Sequence, residues 1–182
     1  KILKYKKMIK FVFQDKPLGT GDAVLKTEKF IKNKFFLMLL PDDLIIKKNC
    51  SKSMISINKR FNSSVMASMK VKKNNVSRWG IYDIKKKINK KDFIIKNVIE
   101  KPTIKNAPSN NAVIGRYILP KNIFKKLKKL KPGKNNEIHI TDAIQLLINE
   151  DQKFIGHNFH GQYLDCGTMN GYINSSLEIS KI

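Results

Sequence analysis

The sequence predicts an α/β fold: a mixed, mainly parallel sheet flanked by helices. Three observations predict it. Extended apolar runs and helical periodicities alternate through the first half of the chain. The run over residues 35–40 is apolar at every position, the pattern of a strand covered on both faces. In the second half the extended runs come in pairs joined by short polar turns, which predicts hairpins. With 182 residues, 41% of them hydrophobic, the chain has enough material for one domain with its own core, and residues 1–182 contain no linker long enough to separate two.

Residues 9–13 form a short apolar run that reads as a strand ending at Gln14, and Gly19 and Gly21 break it. From 22 to 31, Ala23, Val24, Thr27, Phe30 and Ile31 fall at helical spacing, with Asp22 at the helix N-terminus. Pro41 ends the strand at 35–40. Ser51 is placed to cap a helix reaching about residue 61, with Met54, Ile55 and Ile57 on its apolar side. Over residues 65–71, Val65, Ala67, Met69 and Val71 fall at alternate positions, which reads as a strand. Residues 81–84 and 93–99 read as a hairpin around a lysine-rich turn, and 111–119 as a further strand. Pro120 suits the first turn of a helix over 120–130, whose stripe is Ile123, Phe124, Leu127 and Leu130. A loop over 131–136 follows. Thr141 caps a helix carrying Ala143, Ile144, Leu147 and Ile148; residues 153–159 read as a strand and 168–179 as the last helix.

Composition narrows the function. The formal net charge is +23, and only three of the 37 basic residues are arginine. A surface built to read phosphate backbones favours arginine, whose planar fork makes bidentate contacts. Lysine, asparagine and isoleucine, all with AT-rich codons, dominate instead. The excess therefore reads as solvated lysine faces, which would still attract anionic substrates. Cys50 and Cys166 form no C-x-x-C pair, which argues against a disulfide scaffold or zinc site and suits a reducing cytoplasm. No apolar run is long enough to span a bilayer. His139, His157 and His160 have no partner at catalytic spacing and read as structural.

Five segments carry the chemistry: Gln14 with Gly19-Thr20-Gly21-Asp22-Ala23; Leu40-Pro41-Asp42-Asp43; Trp79-Gly80; Glu100-Lys101-Pro102; and Asp165-Cys166-Gly167-Thr168. Each lies where an extended run meets a loop, and ligands of open α/β sheets bind beyond the carboxyl ends of the strands. Asp42 and Asp165 offer hard oxygens to Mg2+, which needs only one or two carboxylates plus substrate phosphates. Taken alone, either aspartate also fits a turn cap. Gly19-Thr20-Gly21 allows backbone N–H groups to approach a nucleotide, or serves as a plain turn. The Gln14 amide, able to donate and accept, suits the imide edge of uracil or thymine. Glu100 supplies an acceptor for sugar hydroxyls and Lys101 a cation for phosphate; Pro102 is expected to hold Lys101 extended.

Together these segments resemble the bacterial UTP–glucose-1-phosphate uridylyltransferases. Phe11-Val12-Phe13-Gln14 with Gly19-Thr20-Gly21-Asp22-Ala23-Val24 looks like the family's uracil-binding segment, and Leu40-Pro41-Asp42 like its metal-binding strand end. The stretch from Ala107-Pro108-Ser109-Asn110 to Gly115-Arg116-Tyr117 is similar to the stretch that follows the family's Glu-Lys-Pro. Asn136-Glu137-Ile138-His139-Ile140-Thr141-Asp142-Ala143-Ile144 resembles one of its helix starts, and Asp165-Cys166-Gly167 completes the set. The resemblance implies a Rossmann-like nucleotidyltransferase fold. It implies Gln14 and Gly19 on uracil, Asp42 and Asp165 on Mg2+, Gly80, Glu100 and Val113 around glucose, and Lys101 on its phosphate. Lys101, Asp42 and Asp165 would be the catalytic set. The implied reaction joins UTP and glucose 1-phosphate into UDP-glucose and pyrophosphate, with alignment and charge neutralisation as the means. Cytoplasmic location, self-association of the full-length form, and no nucleic-acid or membrane partner go with it.

Two departures stand out. Asp22 occupies a position where the family usually has histidine. The family's opening strand, its Gly-x-Gly-Thr-Arg loop and the following lysine have no counterpart, so the chain is expected to be the C-terminal majority of a longer enzyme. It is expected to lack its first strand, to leave apolar sheet surface uncovered, to be marginally stable and to be nearly inactive alone. A thymidylyl- or other sugar-1-phosphate nucleotidyltransferase is the alternative within the same chemistry. A basic nucleic-acid-binding module is the alternative from another class.

Overall fold

The computed structural model describes residues 2–133 and 136–182, so Lys134 and Asn135 of the expected 131–136 loop lie outside the described residues. The chain divides into two compact units. One comprises the residues up to Asn33 with Lys121–Leu147, and the other Lys34–Pro120 with Ile148–Ile182.

The first unit is helical. A 3-10 turn, Ile2–Met8, leads into residues 9–14, which pair with no strand among the described residues; Phe11 and Phe13 are each 83% exposed. The strand expected at 9–13 is therefore not formed, because no neighbouring backbone supplies a ladder. The helix expected over 22–31 is two pieces, α1 (Thr20–Leu25) and a 3-10 turn at Glu28–Phe30. The Thr27 hydroxyl donates to the Val24 carbonyl at 2.7 Å, a local bond that competes with the helical ladder. α3 (Ile123–Leu127) buries Ile123, Phe124 and Leu127, so the expected stripe is correct but its helix is shorter. α4 (Ile140–Asn149) buries Ile140, Ala143, Ile144 and Leu147.

The second unit is a six-stranded mixed sheet. Its strands are β1 (Phe35–Leu39), β3 (Ser64–Lys70), β4 (Gly80–Lys87), β5 (Asp92–Glu100), β6 (Asn111–Pro120) and β7 (Phe154–Asn158), in the order β1-β6-β3-β7-β5-β4. β4 also pairs with β6, at Ile81 opposite Ala112. β2 (Asp43–Ile46) and β8 (Gln162–Asp165) form a separate antiparallel ribbon that the sequence pattern did not reveal. The α/β mixture is as expected, but the strand directions are not mainly parallel: β3–β7 is the parallel pair of the sheet, and its other pairs are antiparallel. Hairpin and return connections replace βαβ crossovers through most of the unit, and they can join only antiparallel neighbours.

Apolar runs do not separate central from edge strands. The sequence pattern predicts β1 covered on both faces, yet among the described residues its strand partner is β6, and Leu37 and Leu39 are 36% and 49% exposed. Pro120 closes β6 rather than opening a helix. α2 (Cys50–Phe61) starts one residue before Ser51 because Asn49 is the cap, its Oδ1 accepting from the Lys52 amide at 2.9 Å. Cys50 and Met54 of α2 pack on Val65 and Ala67 of β3 and on Ile114 and Ile118 of β6. Tyr82 is fully buried; its hydroxyl donates to the Ala67 carbonyl at 2.9 Å and its ring meets Phe93 edge-on at 5.4 Å. α5 (Met169–Ile179) is capped by Thr168, whose Oγ1 accepts from the Gly171 amide.

Phe93 also explains Gly156 in β7. A methyl group there would lie 2.2 Å from the Phe93 ring. Gly156→Ala is expected to destabilise the unit by about 1–3 kcal/mol through overpacking, read as a lower urea midpoint with unchanged slope.

Candidate active site

Two of the expected groups come together within the second unit. Leu40 leaves β1 with its N–H donating to the Gly115 carbonyl at 2.8 Å, and its own carbonyl accepts from Arg116 Nη1 at 3.2 Å. Pro41 then ends the strand direction and exposes Asp42. Across the β2–β8 ribbon Asp43 stands opposite Asp165, and the Cys166 amide donates to the Asp42 carbonyl at 2.8 Å. The two loops therefore travel together. A Cβ on Gly167 would lie 3.1 Å from Asp42 Oδ2 and 3.4 Å from Asp165 Oδ1. Both carboxylates face the same small space, which glycine keeps open.

The neighbouring Asp43 has a different task. Its carboxylate accepts the Gly115 amide of β6 and the Tyr163 hydroxyl of β8. Of two adjacent acids, one anchors the loop and the other is presented by it. Asp165 is held by the Gly167 amide at 3.0 Å on Oδ1 and by Arg78 at 3.6 Å on Oδ2.

The second group lies at the open end of the β4–β5 hairpin. Gly80 and Glu100 are register partners. A Cβ on Gly80 would meet Glu100 Oε2 at 3.0 Å, Val98 at 3.2 Å and Val113 at 3.4 Å. Gly80, Glu100 and Val113 thus cluster at this end of the hairpin. Lys101 follows with its amide donating to the Trp79 carbonyl at 3.1 Å and its side chain exposed. The expectation that Pro102 keeps Lys101 extended is corrected: its φ is +44°, in the left-handed region. Proline disfavours the right-handed helical region for its predecessor, and the Trp79 bond turns the chain at this point. A lysine held at positive φ stores strain of the kind found at functional loops.

Tyr117 connects the groups electrostatically. Burial raises its phenol pKa, and the charges of Asp43, Glu100 and Asp42 raise it further. Tyr163 is likewise pushed up, by burial and then by its hydrogen bond to Asp43. Burial pushes the Cys50 thiol up to about 11, whereas Cys166 is partly exposed beside Asp165.

In the first unit Gln14 and Gly19 are also adjacent. Gln14 Nε2 donates to the Gly19 carbonyl at 3.1 Å and to Asp22 Oδ2 at 2.8 Å, so both amide hydrogens are engaged and Oε1 is the group left to offer. Asp22 is 7% exposed and sets that orientation. Gly19 has φ +92°, and a Cβ on it would lie 2.6 Å from the Ile138 carbonyl. The Gly21 amide donates to the same carbonyl at 2.7 Å, and Thr20 Oγ1 accepts from the Ile140 amide at 3.2 Å. The glycines of this loop therefore admit the chain's own 138–140 segment.

Sequence reasoning passed over Arg78, Arg116, Asp43 and Tyr163. A signal was present for the arginines. In a chain so dominated by lysine, two of three arginines grip the loops of Asp42 and Asp165. Lysine cannot reproduce their fork.

A mixed α/β sheet that gathers carboxylates and a glycine-centred cluster on its strand-end loops defines an α/β domain with a candidate ligand site at those loops. Comparison with known proteins narrows this. The family described as nucleotidyl transferase matches residues 2–182. A putative UTP–glucose-1-phosphate uridylyltransferase of Methanocaldococcus jannaschii is 36% identical over 169 residues, 93% of this chain and 59% of that protein. UTP–glucose-1-phosphate uridylyltransferase 2 of Streptococcus pyogenes serotype M3 is 36% identical over 173 residues, 92% of this chain and 58% of that protein. Among solved structures, UDP-glucose pyrophosphorylase complexed with UDP-glucose superposes with TM-score 0.86 and 38% identity, over 94% of this chain and 66% of that one. The UDP-glucose pyrophosphorylase of Acinetobacter baumannii follows with 0.82 and 28%, over 97% and 67%. The chain belongs to the nucleotidyl transferase family. It spans somewhat under two thirds of the length of these curated relatives.

The Asp43–Tyr163 bond has a spectroscopic consequence. A phenol with a raised pKa adds stability that is fully present below the unfolded value of about 10 and is lost as pH rises above it. Tyr82, Tyr117 and Tyr163 are all raised. Their phenolate absorbance is expected to appear only together with alkaline unfolding. Asp43→Asn removes the charge, and Tyr163 should then ionise at lower pH than in the parent chain; an unchanged titration would count against the bond.

Proposed function

We propose that the chain serves the transfer of a uridylyl group from UTP to glucose 1-phosphate, yielding UDP-glucose and pyrophosphate. The observation that carries the proposal is the convergence of Asp42 and Asp165 at Gly167 in the unit that also holds the Gly80–Glu100–Val113 cluster. The family membership and the names of the similar proteins support the same reading.

Each side chain has a task in this scheme. Glu100 accepts hydrogen bonds from glucose hydroxyls beside Gly80 and Val113, and the lack of a side chain on Gly80 lets Glu100 and Val113 come this close together. Lys101 attracts the sugar phosphate. Gln14 Oε1 accepts the uracil N3–H, and Asp22 keeps the amide from turning its donor face to the base. A phosphate oxygen of glucose 1-phosphate attacks the α-phosphorus of UTP as the bond to the bridging oxygen of pyrophosphate breaks, so no covalent enzyme intermediate is required. The donor set at Gly167, two carboxylate oxygens with no histidine among the contacts, fits Mg2+. Among the described residues no cluster of three or more His, Cys, Asp or Glu is placed to hold a metal by itself, so nucleotide phosphates would complete the coordination. When bound, Mg2+ supplies charge neutralisation at the transferring phosphate. A cytoplasmic, self-associating enzyme without nucleic-acid or membrane partners belongs to this reading, and the two free cysteines support the reducing compartment.

Calorimetric titration of the chain tests it. UTP with Mg2+ is expected to bind more tightly than dTTP, and Asp42→Asn or Asp165→Asn to weaken that binding by about tenfold. Glu100→Gln and Lys101→Met should instead weaken glucose 1-phosphate. Equal affinity for UTP and dTTP would remove the uridylyl assignment, and carboxylate variants that bind Mg–UTP normally would remove the metal assignment.

A further inference from the structure

The second unit also holds a cavity of about 650 Å³ that shares no residue with the candidate site. Its lining includes the β4–β5 turn, Lys70 at the end of β3, Asn111 at the start of β6 and Asn158 at the end of β7. The bridge between Ile81 and Ala112 closes β6, β3, β7, β5 and β4 into a ring, and those strand ends border the cavity.

Lys70, Lys87, Lys90 and Lys91 stand exposed at its rim, and none of them forms an ion pair among the described residues. Asp92, the carboxylate of the lining, does not neutralise them at close range. Its Oδ1 meets His157 Nδ1 at 2.6 Å and its Oδ2 accepts from Asn89 Nδ2 at 2.8 Å. Deeper in, acceptors go unused. Asn111 is 7% exposed and its Oδ1 has no hydrogen-bond partner; Asn158 Oδ1 is buried in the same condition. Ser68, opposite Asn158 in the β3–β7 register, has an unpartnered hydroxyl as well. Buried polar atoms are rarely left so, because each loses its hydration without a replacement. Two of the three, those of Asn111 and Asn158, belong to residues that line the cavity and make its interior polar.

We propose that this cavity binds a small phosphorylated polyhydroxy compound. The phosphate meets the lysines of the turn, and the ligand's hydroxyls meet the side-chain amides of Asn111 and Asn158. An inorganic anion would satisfy only the lysines, and an uncharged polyol only the amides. The volume lies within the usual range for such ligands.

Titration of the isotopically labelled chain with glucose 6-phosphate, inorganic phosphate and sorbitol, followed by NMR, tests the proposal. Glucose 6-phosphate is expected to cause saturable shifts at Lys91, Asn111 and Asn158, including in the Glu100→Gln background, and to bind more tightly than either other probe. The triple variant Lys87→Ala/Lys90→Ala/Lys91→Ala, confined to exposed positions, should weaken binding by about tenfold or more. Asn111→Leu should abolish the preference over inorganic phosphate. Shifts confined to Gly80, Glu100 and Val113, no saturable binding, a triple variant that binds like the parent, or equal affinity for inorganic phosphate would each overturn it.

Discussion

The candidate site depends on where one carboxylate goes. Asp43 turns inward and accepts the Gly115 amide of β6 and the Tyr163 hydroxyl of β8. This ties the β2–β8 ribbon to the six-stranded sheet at the point where Asp42 and Asp165 emerge. Without that tie the two acids would sit on independent loops, and like charges would separate them. Gly115 is required by the same contact, since a Cβ there would lie 2.4 Å from Asp43 Oδ2.

Support around this tie is cationic and specific. Arg116 holds the Leu40 carbonyl, and Arg78 approaches Asp165 while lying over the Trp79 ring at 4.8 Å. These contacts favour close approach of carboxylates that would otherwise repel. The lysines elsewhere contribute a diffuse positive field, which concentrates anionic ligands without placing them. The same division recurs at the hairpin cavity, where lysines ring the mouth and buried amides define the interior.

The proximities within the candidate site were legible from short segments: Gly80, Glu100 and Val113 lie in contact, and Asp42 and Asp165 face one glycine. Such motifs survive reading because each needs a particular residue type at a strand end. Asp43 was not separable from Asp42 on paper, because the difference lies in partners 72 and 120 residues away. The ribbon formed by β2 and β8 was likewise invisible, since four-residue strands carry too little periodicity.

The sequence by itself determined the α/β class, most strand and helix positions, and the identity of the residues at the strand ends, because apolar periodicity and glycine or proline punctuation act locally. Only the tertiary structure decided the strand directions, the exposure of β1, the separate fate of residues 9–13 and the left-handed turn at Lys101. Those features depend on hydrogen-bond and packing partners far along the chain, and a local pattern carries no record of which partner it will meet.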